Sequence, residues 1–407
     1  MTSWRASTWG DEVTLEYGKA LRGYEAAIGP VRVYGSNGPV GWTDKALSSG
    51  PGVILGRKGA YRGIQYSEGD FFVIDTAYYV VPKSDLDMRW LYYAIQYHKL
   101  GEIDDGSPVP STTRAAVYVR DLEVPPKNVQ IEVARVLGEI DDKIALNRRI
   151  NQTLEAMAQA IFKSWFVDFD PVKAKITAKA EGRDPLRAAM TAISGKPDDD
   201  LDALPPEQYE QIAATAALFP EEMEESELGE IPKGWIVSDM RKLAEVISKG
   251  TTPNKSDLAN AKDVPTVPFV KVKDISKNGE IARENLELIA RSIHESSLKR
   301  SVLKTDDLLF SIAGTIGRTA FVDNDLNGAN VNQAIAFIRL KEKLDHFALC
   351  WLTLRSIETK NFIASKVVQA VQANASLANV GDTRCGARRC ASSRKSWRGL
   401  AFRTLSP

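Results

Sequence analysis

The sequence predicts an α+β fold, in which two similar α+β modules are joined by a long helix of the coiled-coil type. The chain has 407 residues, which is too long for one ordinary hydrophobic core. Its two ends contain similar segments in the same order, and the stretch between them has helical periodicity. Each end mixes short apolar runs bounded by Gly and Asn with one or two helices, which is typical of α+β domains.

The internal repeat is indicated by four pairs of segments that follow the same order in both modules. The most informative pair is an apolar run that enters a Gly-rich basic turn. Because the offset between paired segments changes slowly along the chain, a divergent duplication explains them better than chance. The pairs are 53–63 with 307–318 (offset 255, from Gly59 and Gly314), 75–81 with 332–338 (257), 90–95 with 350–354, and 119–121 with 380–382 (261).

The stretch between the modules predicts one long helix. Residues 129–166 contain no Pro and only one Gly, Gly138, and apolar residues recur there at heptad spacing, as in a coiled-coil seam. The alternative is an ordinary amphipathic helix packed on its own domain, but ~38 residues at ~1.5 Å each exceed the width of a compact domain. The residues predicted to form the seam and to contact a partner are Val133, Ile140, Ile144, Asn147, Asn151, Leu154 and Ile161, with Leu137 and Ala158 completing the pattern.

The sequence divides into five predicted segments. The aromatic cluster at 165–169, followed by Pro171, predicts the end of the helix, and the next segment is first Ala-rich and then acidic, which indicates a helix or two and a solvated linker. The predicted segments are a first module at 1–127, the long helix at 128–170, the Ala-rich and acidic segment at 171–230, a second module at 231–382, and a basic tail at 383–407.

Composition excludes several classes of protein. Hydrophobic residues make up 43% of the chain and charged residues 26%, as in globular proteins and unlike disordered or fibrous ones. The 53 Lys and Arg balance the 53 Asp and Glu, so net charge indicates no polyanionic partner, although a local basic surface is still compatible with one. Only three Cys, no apolar run long enough for a membrane span and no secretory signal at residues 1–10 predict a cytoplasmic protein with no membrane partner.

No catalytic or metal site is predicted. His98, His294 and His346 have no second ligand at metal spacing, and there is neither a phosphate-binding Walker loop nor a nucleophile elbow. The two Pro pairs lack the amide before them and the aromatic residue after them that an adenine-methylating loop needs. Covalent chemistry by this chain is therefore not expected.

The Gly-rich basic turns and several polar loop residues predict contact with nucleic acid instead. Glycine lets backbone N–H groups approach phosphates, cations add electrostatic attraction, and Asn, Gln and Thr are residue types that read base edges. Each signal alone is weak, because most basic turns and polar loops simply face water. The predicted DNA-binding residues are Arg57, Lys58, Arg62, Ser111, Thr112, Arg114, Thr251, Thr252, Asn254, Arg318, Gln369, Gln372 and Asn374.

Two motifs resemble a known family. Residues 146–155, continuing through 160–169, closely resemble the central conserved region of the DNA specificity subunits of type I restriction-modification systems. Residues 229–235 are similar to the start of that family's second target-recognition domain. The resemblance extends from about residue 13 to about residue 382.

This resemblance implies a non-catalytic subunit in a bacterial or archaeal cytoplasm. Each target-recognition domain would contact one half of a split sequence in double-stranded DNA, and two antiparallel helices would hold the halves apart. The implied protein partners are two methylation subunits and motor-nuclease restriction subunits. Those partners, and not this chain, would bind S-adenosylmethionine, ATP and Mg²⁺.

Three alternatives to an intact specificity subunit remain at this stage. One is a nucleic-acid-modifying enzyme that acts alone, which the missing motifs disfavour. Another is a non-catalytic coiled-coil adaptor that binds proteins. The third is an inactive, truncated remnant of a specificity subunit.

The basic tail favours truncation or a frameshift. Residues 383–407 contain seven Lys or Arg and no Asp or Glu, and they show neither strand nor helix periodicity. A basic tail that holds DNA is the functional alternative. With a truncated chain the second helix would be missing, so we expect a disordered tail. We also expect either weak binding of the methylation subunits or a homodimer in which two copies supply each other's helix.

Overall fold

The computed structural model describes residues 4–59, 62–104, 109–226, 229–284, 286–366 and 374–388. The chain divides into two units, residues 1–150 and 151–407. The first unit contains the first module and the beginning of the long helix. The second unit contains the rest of that helix, the Ala-rich and acidic segment, and the second module.

The first module is built mainly from short strands. A 3-10 turn at Leu100–Glu102 follows its longest helix. The elements are β1 (Arg5–Thr8), α1 (Trp9–Glu12), β2 (Val13–Tyr17), β3 (Val31–Gly35), β4 (Gly38–Thr43), β5 (Gly52–Gly56), β6 (Ile64–Ser67), β7 (Phe71–Val73), β8 (Ala77–Pro82), α2 (Met88–Tyr97), α3 (Arg114–Tyr118) and β9 (Asp121–Val124).

Two sheets and a closing strand pair form this module. The antiparallel sheet has the order β2-β8-β5-β6, the second sheet has the order β4-β3-β7 with β3 and β7 parallel, and β1 pairs with β9. Amphipathic α2 covers the first sheet, and Trp90, Leu91 and Ile95 of this helix join Val53 and Leu55 in one buried cluster. Burial of these large apolar side chains is the main stabilising contribution.

The long helix, α4 (Lys127–Phe166), is continuous over 40 residues. Within the first unit, Gly138 of α4 lets Arg89 of α2 approach, because a Cβ at Gly138 would lie 2.8 Å from the Arg89 Cζ. Arg89 also pairs with Asp142 at 3.1 Å. The predicted helix therefore exists, although it ends at Phe166 and the next helix begins at Asp170.

The segment after α4 is more ordered than the predicted linker. Its helices bury a small core around Ala189, Met190, Leu201 and Ala216, and an aromatic cluster of Trp165, Phe169, Phe219 and Trp235 packs beside it. Because these apolar side chains are buried together, the segment is packed over most of its length. Its elements are α5 (Asp170–Ala180), α6 (Pro185–Ser194), α7 (Asp198–Leu201), α8 (Pro206–Ala216) and a hairpin of β10 (Met223–Ser226) and β11 (Gly229–Pro232).

The second module repeats the first with additional short helices. Three 3-10 turns lie at Val272–Asp274, Lys299–Ser301 and Asn324–Leu326. The elements are β12 (Trp235–Asp239), α9 (Met240–Leu243), β13 (Ala244–Lys249), α10 (Lys255–Asn260), β14 (Pro265–Val270), β15 (Glu287–Ala290), α11 (Arg291–Glu295), β16 (Leu308–Ser311), β17 (Thr319–Phe321), β18 (Asn330–Val331), β19 (Ile335–Leu340), α12 (Lys343–Arg355), α13 (Ile357–Lys366), α14 (Leu377–Gly381) and β20 (Arg384–Arg388).

The sheet orders confirm the predicted repeat and the α+β fold class. The second module has the orders β13-β19-β16-β17 and β15-β14-β18, with β14 and β18 parallel, and a closing pair of β12 and β20. These are the orders of the first module, strand for strand. Buried Leu308, Phe310 and Ile338 of the four-stranded sheet pack against Leu354 of α12.

The strand registers correct two of the predicted offsets. Gly56 pairs with Ala77, whereas Ser311 pairs with Ile335, so the offset is 255 for the first segment but 258, not 257, for the second. Thr8 pairs with Asp121, and Asp239 pairs with Arg384, which gives 263 rather than 261 at the end of the module. A shift of one residue exchanges the two faces of a strand. The pairing of the strands, and not the similarity of the sequences, therefore decides the alignment of the two modules.

The predicted boundary at residue 382 is also wrong. Residues 384–388 were expected to belong to a disordered tail, but they form β20, which pairs with β12 over five residues. The backbone N–H of Met240 donates to the Thr383 carbonyl at 2.8 Å, which fixes the start of this strand. The second module thus extends at least to Arg388, and the rest of the predicted tail, 389–407, lies outside the described residues.

Candidate nucleic-acid interface

Loops of the first module converge beside the ends of β5 and β8. We call residues 36–38, 57–59, 62–65, 74–76 and 109–114 the first loop cluster. Ser36 connects three of these loops, because its Oγ lies within hydrogen-bond distance of the carbonyl oxygens of Lys58, at 2.5 Å, and Thr76, at 2.7 Å. Lys58 forms an isolated bridge with Ser111. Several residues predicted to bind DNA are therefore brought together here.

Two of the predicted contacts have internal partners instead. The Arg62 guanidinium donates to the carbonyls of Gly59, Gly101 and Ile103, at 2.7 to 3.0 Å, and to the hydroxyl of Thr112. Thr112 is fully buried. The buried Thr112 side chain therefore supports the loop and is not accessible to a ligand. Arg62 also supports the loop, but it is partly exposed, and its contact with DNA stays a prediction.

Arg57 and Arg114 lie against Tyr17, which sequence reasoning did not identify. Their Cζ atoms are 5.2 Å and 4.1 Å from the centroid of the half-exposed Tyr17 ring, which is cation–π geometry. Arg57 also donates to the Asp75 carbonyl at 2.7 Å, and Arg114 pairs with Glu16 at 3.5 Å. These contacts fix two positive charges at the edge of the first loop cluster.

Lys58 is the most available cation of the cluster. Its backbone N–H donates to Thr76 O and to the Ser36 hydroxyl, so the main chain is fixed while the side chain is exposed. In the described part of the chain, no hydrogen bond or ion pair engages its ammonium group. A fixed base with an uncommitted ammonium group suits contact with a phosphate.

One candidate of the second module, Asn374, lies at the position equivalent to Ser111 in the first. Ala313 forms an isolated bridge with Asn374, as Lys58 does with Ser111. Thr251, Thr252 and Asn374 are exposed, and the Thr252 hydroxyl donates to the Gln333 side-chain oxygen. These three side chains remain compatible with contact to a ligand, whereas Gln369 and Gln372 lie outside the described residues.

Arg318 and Asn254 have structural roles in the second module. Arg318 donates to the carbonyls of Ile275 and Val272, much as Arg62 does in the first module. Asn254 caps the start of α10, and its side-chain oxygen accepts from the Asp257 backbone N–H at 2.8 Å. Caps of this kind stabilise a helix, so this amide oxygen is already used.

The predicted coiled-coil seam lies mainly at the surface of α4. Ile140 and Leu154 are each about half exposed, at 51% and 52%, and Ile144 and Ile161 are each 42% exposed. Asn147 and Asn151 are exposed, whereas Val133 packs against the core of the first module. The remaining apolar stripe is suited to bind another helix.

Metal and membrane sites are absent from the described residues. No group of three or more His, Cys, Asp or Glu among them is arranged to hold a metal ion. None of the helices in the described ranges is long and apolar enough to cross a membrane.

Comparison with known families gives a match in the second module. Residues 232–380 match the family model described as "Type I restriction modification DNA specificity domain". The second module is therefore similar to such a domain, in agreement with the resemblance seen in the sequence.

Two curated relatives of this chain are specificity subunits of type I restriction enzymes. The specificity subunit of the type I restriction enzyme HindI from Haemophilus influenzae is 33% identical over 269 residues, which cover 61% of this chain and 57% of that protein. The MjaIX specificity subunit from Methanocaldococcus jannaschii is 26% identical over 203 residues, covering 49% and 36%. The chain thus spans little more than half of the first relative and about a third of the second.

Solved structures of specificity subunits also match. A type I restriction-modification S subunit from M. genitalium has a TM-score of 0.45 at 12% identity and covers 99% of this chain and 89% of that chain. The HsdS subunit from Thermoanaerobacter tengcongensis has a TM-score of 0.29 at 10% identity and covers 100% and 92%.

Proposed function

We propose that this chain is the non-catalytic DNA specificity subunit of a type I restriction-modification complex in a bacterial or archaeal cytoplasm. Each module reads one half of a split target in double-stranded DNA. The observation that carries the proposal is that one backbone topology occurs twice with different side chains at equivalent loop positions. Lys58 and Ser111 in the first module correspond to Ala313 and Asn374 in the second, as expected of two modules that read different sequences.

DNA binding is tested by the salt dependence of affinity. Lys58→Ala should weaken binding of the full chain to a mixed-sequence DNA duplex and reduce the slope of log affinity against log salt by ~1, because one phosphate contact is lost. Lys143→Ala, an exposed lysine on α4, is the matched control and should leave the slope unchanged. If the wild-type chain has no salt-dependent affinity for DNA, the proposed function is wrong.

The protein partners follow from the same proposal. Two methylation subunits and the restriction subunits dock on this chain, and they supply the sites for S-adenosylmethionine, ATP and Mg²⁺. Co-purification of the tagged chain from its host should yield a methyltransferase subunit. DNA methylation should require both proteins, and methylation by this chain alone would contradict its non-catalytic role.

A homodimer through α4 is the second part of the proposal. If two copies of α4 pair antiparallel with Asn147 of one copy opposite Asn151 of the other, the spacing places Ile144 opposite Leu154 and Leu137 opposite Ile161 of the second copy. The two Asn pairs then lie at the dyad, where buried amides fix the register. This register covers the stripe that is exposed in the single chain.

Sedimentation of the full chain tests this dimer. The wild-type chain should sediment as a dimer, and Ile144→Glu with Leu154→Glu should sediment as a monomer, because charges at the seam are not tolerated when buried. Arg148→Ala, an exposed position on the same helix, should remain dimeric. A monomeric wild-type chain would contradict self-pairing without affecting the proposal of DNA binding.

A further inference from the structure

Two amide side chains lie together at the tip of the first loop cluster. Asn37 is in the turn between β3 and β4, and Gln65 is in β6. A Cβ placed at Gly63 would lie 3.4 Å from the Gln65 Nε2 and 3.5 Å from the Asn37 Oδ1, and a Cβ at Gly38 would lie 3.6 Å from the same Nε2. Both amides therefore border Gly63, and the lack of side chains at the two glycines leaves the space around them open.

Neither amide is used by the residues that the structure describes. In the described part of the chain, the side chains of Asn37 and Gln65 make no hydrogen bond, although Gln65 is only partly exposed. Gln130 of the same unit behaves differently, because it accepts from the Asp87 N–H at 2.8 Å and donates to the Pro125 carbonyl at 2.9 Å. Each tip amide thus keeps a donor and an acceptor for a ligand.

The backbone beneath these amides is held rigidly. The Gly63 N–H donates to the Ser36 carbonyl at 2.8 Å, and the Ser36 N–H donates to the Thr76 hydroxyl at 3.3 Å. Gly56 allows this approach, because a Cβ there would lie 2.1 Å from the Ser36 carbonyl oxygen. Binding of a ligand at the tip therefore causes little further loss of conformational entropy in these loops.

We infer that Asn37 and Gln65 recognise adenine in the half of the target read by the first module. An Asn or Gln amide matches adenine in the major groove, because its oxygen accepts from N6 and its nitrogen donates to N7. Lys58 lies in the adjoining loop, which Ser36 ties to the tip, and it is available for the nearby phosphate. This inference rests on the proposed function and adds the base and the residues that read it.

The second module lacks this pair. Gln65 pairs with Ile54 in β5, and the equivalent strand residue, Leu309, pairs with Ala320, which is fully buried. The discrimination that these two amides provide should therefore be confined to one half of the split target, and substitutions at the tip should leave the other half unchanged.

Selection from a pool of randomised DNA duplexes by the full chain tests the inference. The wild-type chain should enrich two separate sequence blocks. Asn37→Ala and Gln65→Ala should each reduce discrimination for adenine within one block by ~5- to ~150-fold, as expected for a lost bidentate contact. Asn128→Ala, which removes an exposed amide in the first turn of α4, should keep both blocks.

A further substitution separates base reading from a structural effect. Gln65→Glu should change the preference from adenine toward cytosine, because a carboxylate accepts from the cytosine N4 group. If the wild-type chain selects a target and the variants keep its adenines, or if they weaken binding to all sequences equally, the inference is overturned alone. If the wild-type chain enriches no sequence, the inference and the proposed function are both overturned.

Discussion

The two modules contain an equivalent pair of packed short helices, α1 with α3 in the first and α9 with α14 in the second. The large residue and the glycine at their contact are exchanged between the two helices. In the first module Gly10 of α1 makes room for Tyr118 of α3, whose hydroxyl accepts from the Leu15 N–H at 2.9 Å. In the second module the equivalent positions hold Arg241 in α9 and Gly381 in α14, and Arg241 pairs with Asp382 at 2.7 Å. A large residue on either helix is thus accommodated by glycine on the other, so one backbone can persist while its side chains diverge.

Their buried polar groups differ in the same way. Glu12 of the first module is buried and receives hydrogen bonds from Arg5, Ser7 and Ser84. The second module instead buries Asp307, which pairs with Arg339 at 2.6 Å. Leu243 stands at the position equivalent to Glu12, and Gly52 at the position equivalent to Asp307. Each module therefore has its own buried carboxylate on a shared fold.

The largest expected loss of stability is in the second module. Arg339→Met should lower the free energy of unfolding by ~3 kcal/mol or more, because it leaves the fully buried Asp307 carboxylate without its cation. Urea unfolding measures this loss. Arg283→Met removes an exposed cation from Asp323 and Asp325 and should cost less than ~1 kcal/mol. Equal losses for the two variants would show that burial does not distinguish these ion pairs.

A smaller effect is expected from Glu12→Gln in the first module. The hydrogen bond from Arg5, with those from Ser7 and Ser84, lowers the pKa of Glu12 to about 2 despite burial. Because the folded pKa lies below the unfolded value of ~4.3, the stabilisation is present above pH ~4.3 and is lost as pH falls toward 2.

At pH 7 this substitution should cost ~2 kcal/mol, and the difference from the wild-type chain should narrow on acidification. Thermal melts of both proteins from pH 7 to pH 3 measure this change. Glu123→Gln, at an exposed position on β9, is the control and should melt like the wild-type chain. A pH-independent gap for Glu12→Gln would contradict the lowered pKa.

The smallest expected effect on stability is the difference between alanine substitutions at Gly10 and at Gly381. Gly10→Ala should cost ~1–2 kcal/mol, because its Cβ would lie 2.8 Å from the Tyr118 Cβ, which cannot move without its backbone. Gly381→Ala meets only the end of the flexible Arg241 side chain, at 3.1 Å, and replaces a helical glycine. It should therefore be neutral or stabilise by up to ~1 kcal/mol. Chemical unfolding measures both free energies. If Gly381→Ala were the more destabilising variant, glycine would not be what accommodates the large residue of the facing helix.

Sequence alone predicted the repeat and the long helix because both depend on local patterns. The Gly59–Gly314 alignment is correct because each glycine is the third residue after the end of an equivalent apolar strand. The later offsets were wrong by one and two residues, because loops of different length intervene and only the ladder pairs of Ala77 and Ile335 fix the register.

The candidate site was less predictable because its contacts are not local. Arg62 and Arg318 occur in basic turns that resemble phosphate-binding loops, yet carbonyls brought close by the fold accept their hydrogen bonds. Asn37 and Gln65 are distant in sequence and meet only because the turn after β3 reaches the start of β6. No spacing rule connects two such amides before the sheet order is known.

The pairing of β1 with β9, and of β12 with β20, has a consequence for how such a chain can be rearranged. The first and last strands of each module are paired, so the two ends of a module lie next to each other. Insertions within the loops of a module need not displace these ends. A module with adjacent ends can be replaced by another module of the same fold without changes in the rest of the polypeptide.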